Sequence, residues 1–153
     1  MTDNNIANEL KSENLRARAI LAAIDCGEYD AESSMNELEE LAKTAGAEVV
    51  AGIIQKLPAP NPATLLGEGK IQELKETAER LNADLVIFDC ELTASRIRNI
   101  EDIVNIRVID RTMLILDIFA GRAVTNEGKL QVELAQLKYR LPRLAGIGVS
   151  MSR

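Results

Sequence analysis

The stretch "DLVIFDCELTASRIRNIEDIVNIRVIDR", residues 84–111, decides the fold class. It opens on the β-branched run DLVIFD (84–89), passes through TASRIRNIEDIVN (93–105) and closes on IRVIDR (106–111). The middle part carries Ile97, Ile100 and Val104 at helical spacing, so one face of a helix is apolar. The flanking runs are apolar almost throughout instead of alternating, as strands are when both faces of their sheet are covered. Strand, single helix and strand in sequence make one unit of a parallel sheet.

The same rhythm extends upstream. RAILAAID (18–25) is a further apolar run, followed by the helical pattern SSMNELEELAKTAG (33–46). Met35, Leu38, Leu41, Ala42 and Ala45 share a face there; Ser34 and Glu37 have the spacing of a capping box, and Gly46 is a stop signal. AEVVAGIIQKL (47–57) is a strand running into the connector PAPNP, and GEGKIQELKETAERLN (67–82) is a helix facing inward through Ile71, Leu74, Ala78 and Leu81. The expectation is an α/β fold over residues 1–111: a small, four-stranded, mainly parallel sheet flanked by helices.

Downstream of Arg111 the alternation stops. TMLILDIFA (112–120) is apolar nearly all round apart from Asp117, which suits a buried helix, although its length also allows a strand. Leu130, Leu134, Leu137, Leu141 and Leu144 then recur at steps of 4, 3, 4 and 3, the a/d stripe of a helical pair or short coiled coil. Thr125 is placed to cap the second helix, and Pro142 to end it. Residues 112–144 therefore read as an α-helical hairpin subdomain, and AGIGVSMSR (145–153) as the start of a linker.

Composition narrows the function classes. Apolar residues make up 46% of the 153 and aromatics only 3%, so the core must be built from aliphatic side chains. The chain has no histidine, which removes Ser-His and Cys-His catalysis and most zinc sites. Cys26 and Cys90 each follow an aspartate that ends a strand and read as reduced, half-buried thiols. No run approaches the ~18 apolar residues of a membrane span. MTDNNIANEL lacks the basic and apolar regions of an export signal, so the expected location is cytoplasmic. The net charge of −6 is unevenly divided: residues 1–106 hold 10 basic and 20 acidic side chains, whereas 107–153 hold 8 and 4. That asymmetry suits a polyanionic partner for the C-terminal part, and equally an ordinary solvated surface.

Three constellations are candidate sites. NPATLLGEGK (61–70) ends in Gly67, Gly69 and Lys70 at the start of a helix, where free amides can hold an anion. As a P-loop it fails at both ends: Thr64 stands at the first-glycine position, and Ile71 follows the lysine where Ser or Thr is needed. The bland alternative is that the glycines turn the chain into the helix. Asp25, Asp89 and Asp110 all close strands, at the edge where ligands collect in open α/β sheets. They could hold magnesium or accept a phosphoryl group as in a receiver domain, or simply cap the helices that follow. Finally, Arg122, Lys129, Lys138, Arg140 and Arg143 lie around and beyond the hairpin turn, with Asn126 and Tyr139 among them. Such cations suit phosphate contacts with a folded RNA.

RVIDRTMLILDIFAGRAVTNEGKLQVELAQLKYRLPRL (107–144) resembles the N-terminal region of the HflX family, ribosome-associated GTPases of the translation-factor class. NPATLLGEGKIQELKETAERLNADLVIFDCELTASRIRNIE (61–101) is similar to the part preceding it. The likeness is diffuse over residues 1–57, good from Asn61 and strongest over Arg107–Leu144. It implies an α/β subdomain and a helical subdomain ahead of a GTP-binding domain that this chain lacks, with GTP and Mg2+ belonging to that missing domain and no cofactor to this one. It further implies binding to the large ribosomal subunit and its rRNA, and a part in splitting or rescuing stalled ribosomes. Contact would be made by a tip comprising Arg122, Thr125, Asn126, Glu127, Gly128 and Lys129. This chain departs from the family's more basic pattern there, with Gly121, Val124 and Asn126. The chain itself would be non-catalytic. The competing reading is an ATP-binding regulatory domain that uses Gly67, Gly69, Lys70 and the strand-end aspartates to control the attached GTPase.

Overall fold

The computed structural model describes residues 16–122, 127–128, 130–131 and 133–139. Its elements are β1 (Arg18–Asp25), α1 (Ala31–Thr44), β2 (Glu48–Lys56), α2 (Glu68–Leu81), β3 (Leu85–Phe88), α3 (Ala94–Val104), β4 (Arg107–Asp110) and α4 (Arg111–Arg122). The strands form one sheet in the order β2-β1-β3-β4, and every pairing is parallel. Residues 127–128, 130–131 and 133–139 are helical as well.

Alternation along the strands divides the core into two layers. Ile20, Ala22, Ile24, Ile53, Val86, Phe88 and Val108 point to one face, where Ile71, Leu74 and Ala78 of α2 and Ile100 and Val104 of α3 cover them. Ala19, Leu21, Ala23, Ile87 and Ile109 point to the other, against Met35, Leu38 and Ala42 of α1 and Leu114 and Ile118 of α4. Central strands buried on both faces explain the near-continuous apolar runs in the sequence.

Local chemistry fixes the helix limits. Asp30 caps α1 by accepting from the Ser33 amide at 3.1 Å, and Thr93 caps α3 by accepting from Arg96 N at 3.2 Å. The cap of α1 thus lies four residues ahead of Ser34, so Ser34 and Glu37 form no capping box. Asn82 and Asn105 end α2 and α3 in the left-handed conformation, at φ 52° and 60°.

Between β2 and α2 the connector folds on itself. Asn61 and Leu65 exchange backbone hydrogen bonds of 3.0 and 2.9 Å, and the Asn61 side chain accepts from the amides of Ala63 and Thr64. Leu65 takes the positive φ of 65° that closes this loop, and its side chain is buried. The chain therefore reverses at Leu65 and not at a glycine. Arg96 and Asn99 of α3 fasten the loop by donating to the carbonyls of Pro62 and Ala63, each at 3.1 Å.

α4 starts directly at the end of β4 and is helical throughout. It is less buried than its composition suggests: Leu114 and Ile118 face the sheet, whereas Phe119 is 54% exposed. Truncating a central core side chain checks this packing. Leu74 is fully buried, so Leu74→Ala should lower unfolding free energy by about 2–5 kcal/mol, read as an earlier midpoint in urea.

Candidate functional site

The carboxyl edge of the sheet brings Asp25, Asp89 and Asp110 to the ends of β1, β3 and β4. β1 and β3 are spatial neighbours although β2 lies between them in sequence. Their adjoining ends form the switch point of the sheet, the usual ligand crevice of open α/β folds.

The three aspartates do three different things. Asp25 Oδ1 accepts from the Gly27 amide at 2.9 Å, forming a tight turn in which Gly27 sits at φ 83°. Asp110 is fully buried: Oδ1 caps α4 through the Met113 amide at 3.0 Å, and Oδ2 receives the Leu92 amide at 2.9 Å. The Tyr139 hydroxyl donates to the same Oδ2 from the helical segment beyond α4. Asp89, with its side chain 1% exposed, is ion-paired through Oδ1 to Arg111 Nη1 at 2.8 Å. Its buried Oδ2 has no partner among the described residues.

Arg111 is the hub of this edge. Besides Asp89, its Nη1 donates to Ser34 Oγ at 3.0 Å and its Nη2 to Glu37 Oε2 at 2.9 Å. One guanidinium thereby ties α1, the end of β3 and the first residue of α4, using its fork of donors. Burial alone would lower the Arg111 pKa, but the hydrogen bonds to Asp89 and Glu37 hold it above its ordinary value. Sequence spacing assigned Ser34 and Glu37 to a helix cap; the two residues instead serve an arginine 77 and 74 positions away. The one local hint was an Asp-Arg pair closing a strand, where a charge must be satisfied out of water.

Three further side chains lie near these aspartates. Cys26 and Cys90 are free and half-buried, as the sequence suggested. Burial, reinforced by the Asp89 and Asp110 carboxylates, pushes the Cys90 thiol up to about 11. The Tyr29 hydroxyl donates to the Ile24 carbonyl at 3.2 Å, and its pKa is raised first by burial and then by Asp89.

A receiver-like role for the aspartates does not fit this arrangement, because Asp89 and Asp110 are buried and engaged. Among the described residues no group of three or more His, Cys, Asp or Glu side chains could hold a metal ion. The Gly67–Lys70 turn is likewise occupied by internal contacts. The Gly67 amide donates to Gln55 Oε1 at 2.9 Å, and Lys70 Nζ pairs with Glu73 at 3.0 Å. A Cβ at Gly67 would meet Gln55 Nε2 at 3.2 Å, so this glycine makes room for the glutamine; at Gly69 a Cβ would enter open space.

Of the cationic residues, Lys138 is exposed on the helical segment beyond α4. Arg122 is the last residue of α4, with its side chain outside the described set. Thr125, Asn126, Lys129, Arg140 and Arg143, and with them the proposed cap at Thr125, lie outside the described residues. The helical segment runs back along α4: Gln136 Nε2 donates to the Leu116 carbonyl at 3.4 Å, and Tyr139 reaches Asp110. Of the leucine stripe expected at its seam, Leu130, Leu134 and Leu137 are described, and Leu141 and Leu144 lie outside the described residues. Leu130, Leu134 and Leu137 are 63%, 50% and 49% exposed.

Comparison with known proteins gives a consistent result. Residues 32–120 match the family described as GTP-binding GTPase N-terminal, and residues 122–153 match its Middle Region. The GTPase HflX of Caldanaerobacter subterraneus subsp. tengcongensis is 55% identical over 138 residues, covering 90% of this chain and 32% of that protein. The GTPase HflX of Lacrimispora saccharolytica is 51% identical over 146 residues, covering 95% and 34%. The chain thus spans about a third of the length of these curated relatives. A crystal structure of a GTP-binding protein from Sulfolobus solfataricus in complex with GDP superposes with a TM-score of 0.65. It is 28% identical and covers 87% of this chain and 40% of its own.

Two outcomes follow from the Arg111 hub and the Cys90 environment. Arg111→Ala should cost roughly 3–5 kcal/mol, since it strands the buried Asp89 charge. Adding Asp89→Ala to it should recover part of that loss, and urea titration of the four-member cycle measures the coupling. The Cys90 thiol is held above its ordinary value of 9.0 in the folded state. The unfolded chain therefore releases this proton first, and the stability it contributes is lost as pH rises from 9 toward 11. The fall in urea midpoint across that window should be smaller in Cys90→Ala than in the parent chain.

Proposed function

The chain belongs to the HflX family of GTPases, and from that premise we propose that it is the ribosome-facing N-terminal region of such a GTPase. In this reading it binds the large ribosomal subunit through rRNA and takes part in splitting or rescuing stalled ribosomes in the cytoplasm. GTP and Mg2+ would be held by the GTP-binding domain of the parent protein, to which this region is coupled. The observation carrying the reading is the unbroken family match through the N-terminal and Middle regions, 32–120 and 122–153. The second of these holds most of the basic C-terminal part: Arg122, Lys129, Lys138, Arg140, Arg143 and Arg153 against Glu127 and Glu133.

Internal use of most polar groups at the carboxyl edge also supports an interaction role over a catalytic one. Asp89, Asp110 and Arg111 are spent on joining elements, and the Gly67 amide and Lys70 ammonium have intramolecular partners. Lys138, by contrast, is exposed and makes no ion pair among the described residues. Long cationic side chains on a helix are what a phosphate backbone binds, and the affinity then falls with added salt.

The test is co-sedimentation of the chain with purified large subunits over a salt series. Binding should weaken as salt rises, and Arg122→Glu with Lys129→Glu should reduce it at least tenfold, about 1.4 kcal/mol. Binding to large subunits that ignores both salt and the double substitution would refute the basic segment as the contact surface.

A further inference from the structure

We propose that Cys26 and Cys90 form a peroxide-sensitive thiol pair, which closes to an intramolecular disulfide across the carboxyl edge of the sheet. The fold brings these two residues together from distant parts of the sequence. β1 and β3 are adjacent and parallel, in a register that sets Ala22 against Phe88. The pairing continues one residue beyond β3, where the Asp89 amide donates to the Ala22 carbonyl at 2.9 Å. Cys26 and Cys90 lie just past the two strand ends, with the same parity as Ala22, Ile24, Val86 and Phe88, which face the layer of α2 and α3. Both thiols pack against that apolar cluster, whereas Asp89 turns to Arg111 on the other side of the sheet. Each is half-buried, open enough for a small oxidant. Burial and the Asp89 and Asp110 carboxylates raise the Cys90 pKa most, and the Cys26 sulfur adds to the rise, as groups at short range do.

The chemistry gives the two sulfurs different roles. Cys90, pushed up to about 11, is protonated near neutral pH and is the poorer nucleophile, so the first step falls to Cys26. Cys26 Sγ attacks one oxygen of hydrogen peroxide, the O–O bond breaks, and the displaced hydroxide leaves as water with the thiol proton. Cys90 Sγ then attacks the Cys26 sulfenic acid. The S–S bond forms as the S–O bond breaks, and the second hydroxide takes the Cys90 proton. Two thiols have then lost two electrons to one peroxide, and two waters result. Closure needs a small movement. Residues offset by two on neighbouring strands stand roughly 8 Å apart at Cα, and a disulfide spans at most about 6.8 Å. The turn after Asp25 can supply the difference, since Gly27 carries its left-handed φ of 83° with no atom within 4 Å of where a Cβ would sit.

Peroxide titration of the full chain provides the test, with free thiols alkylated and the unreduced peptides analysed by mass spectrometry. A linked peptide pair holding Cys26 and Cys90 of one chain is expected, and dithiothreitol should release it. Cys90→Ser should leave Cys26 as a sulfenic acid that dimedone traps. Cys26→Ser should slow oxidation of Cys90 by about tenfold or more, because the protonated thiol then has to react first. The oxidised chain should unfold at higher urea than the reduced one, since the link closes a long loop. Oxidation that yields only unlinked sulfenic or sulfinic acids, or links only between chains, would overturn the proposal. So would a Cys26→Ser chain whose Cys90 oxidises at the parent rate.

Discussion

A buried carboxylate organises this molecule. Asp110 is fully excluded from water, and its oxygens need hydrogen-bond partners. Those partners are the Leu92 amide, the Met113 amide and the Tyr139 hydroxyl. They belong to the loop after β3, to the first turn of α4 and to the helical segment that returns along α4. Satisfying one side chain therefore fixes where β4 ends, where α4 begins and where the returning helix lies. Few other residues in the chain constrain so many elements from one position.

The next residue extends the same logic laterally. Arg111 occupies the first turn of α4, yet its guanidinium reaches back to Asp89, Ser34 and Glu37. The Asp110–Arg111 pair thus ties both helices on one face of the sheet to its carboxyl edge: α1 through Arg111, α4 through Asp110. Most polar groups of this edge are thereby used within the chain, with Asp89 Oδ2 left without a partner among the described residues.

Much of the architecture was legible in the sequence because it rests on local periodicity. The apolar runs ending at Asp25, Asp89 and Asp110 and the helices through Leu38, Leu74 and Ile100 lie within a residue or two of their expected limits. The site was less legible because it depends on contacts distant in sequence. Ser34 and Glu37 satisfied a short-range rule, so nothing local disclosed that Arg111 would claim both. Gly67 looked like a turn residue, yet the positive φ is at Leu65, and the glycine serves to admit the Gln55 side chain. The leucine spacing correctly implied a helix. Periodicity identifies a stripe but carries no information about which neighbour covers it, and the described contacts of the returning helix run through Gln136 to Leu116 of α4 and through Tyr139 to Asp110 of β4.

This division of labour bears on how the chain can act. The sheet domain holds most of the acidic residues, and its polar groups at the carboxyl edge are largely paired with one another. Beyond β4 the balance reverses, with seven basic residues against three acidic ones, in a segment where Leu130, Leu134 and Leu137 are exposed. A polyanion would be repelled by the first part and attracted by the second, so charge alone orients any encounter with the helical end leading. Attachment at Asp110 and Leu116 then gives that end a fixed direction relative to the sheet. Loss of the Tyr139 hydroxyl would therefore matter more for the aim of that segment than for the stability of the sheet, whose two apolar layers do not depend on it.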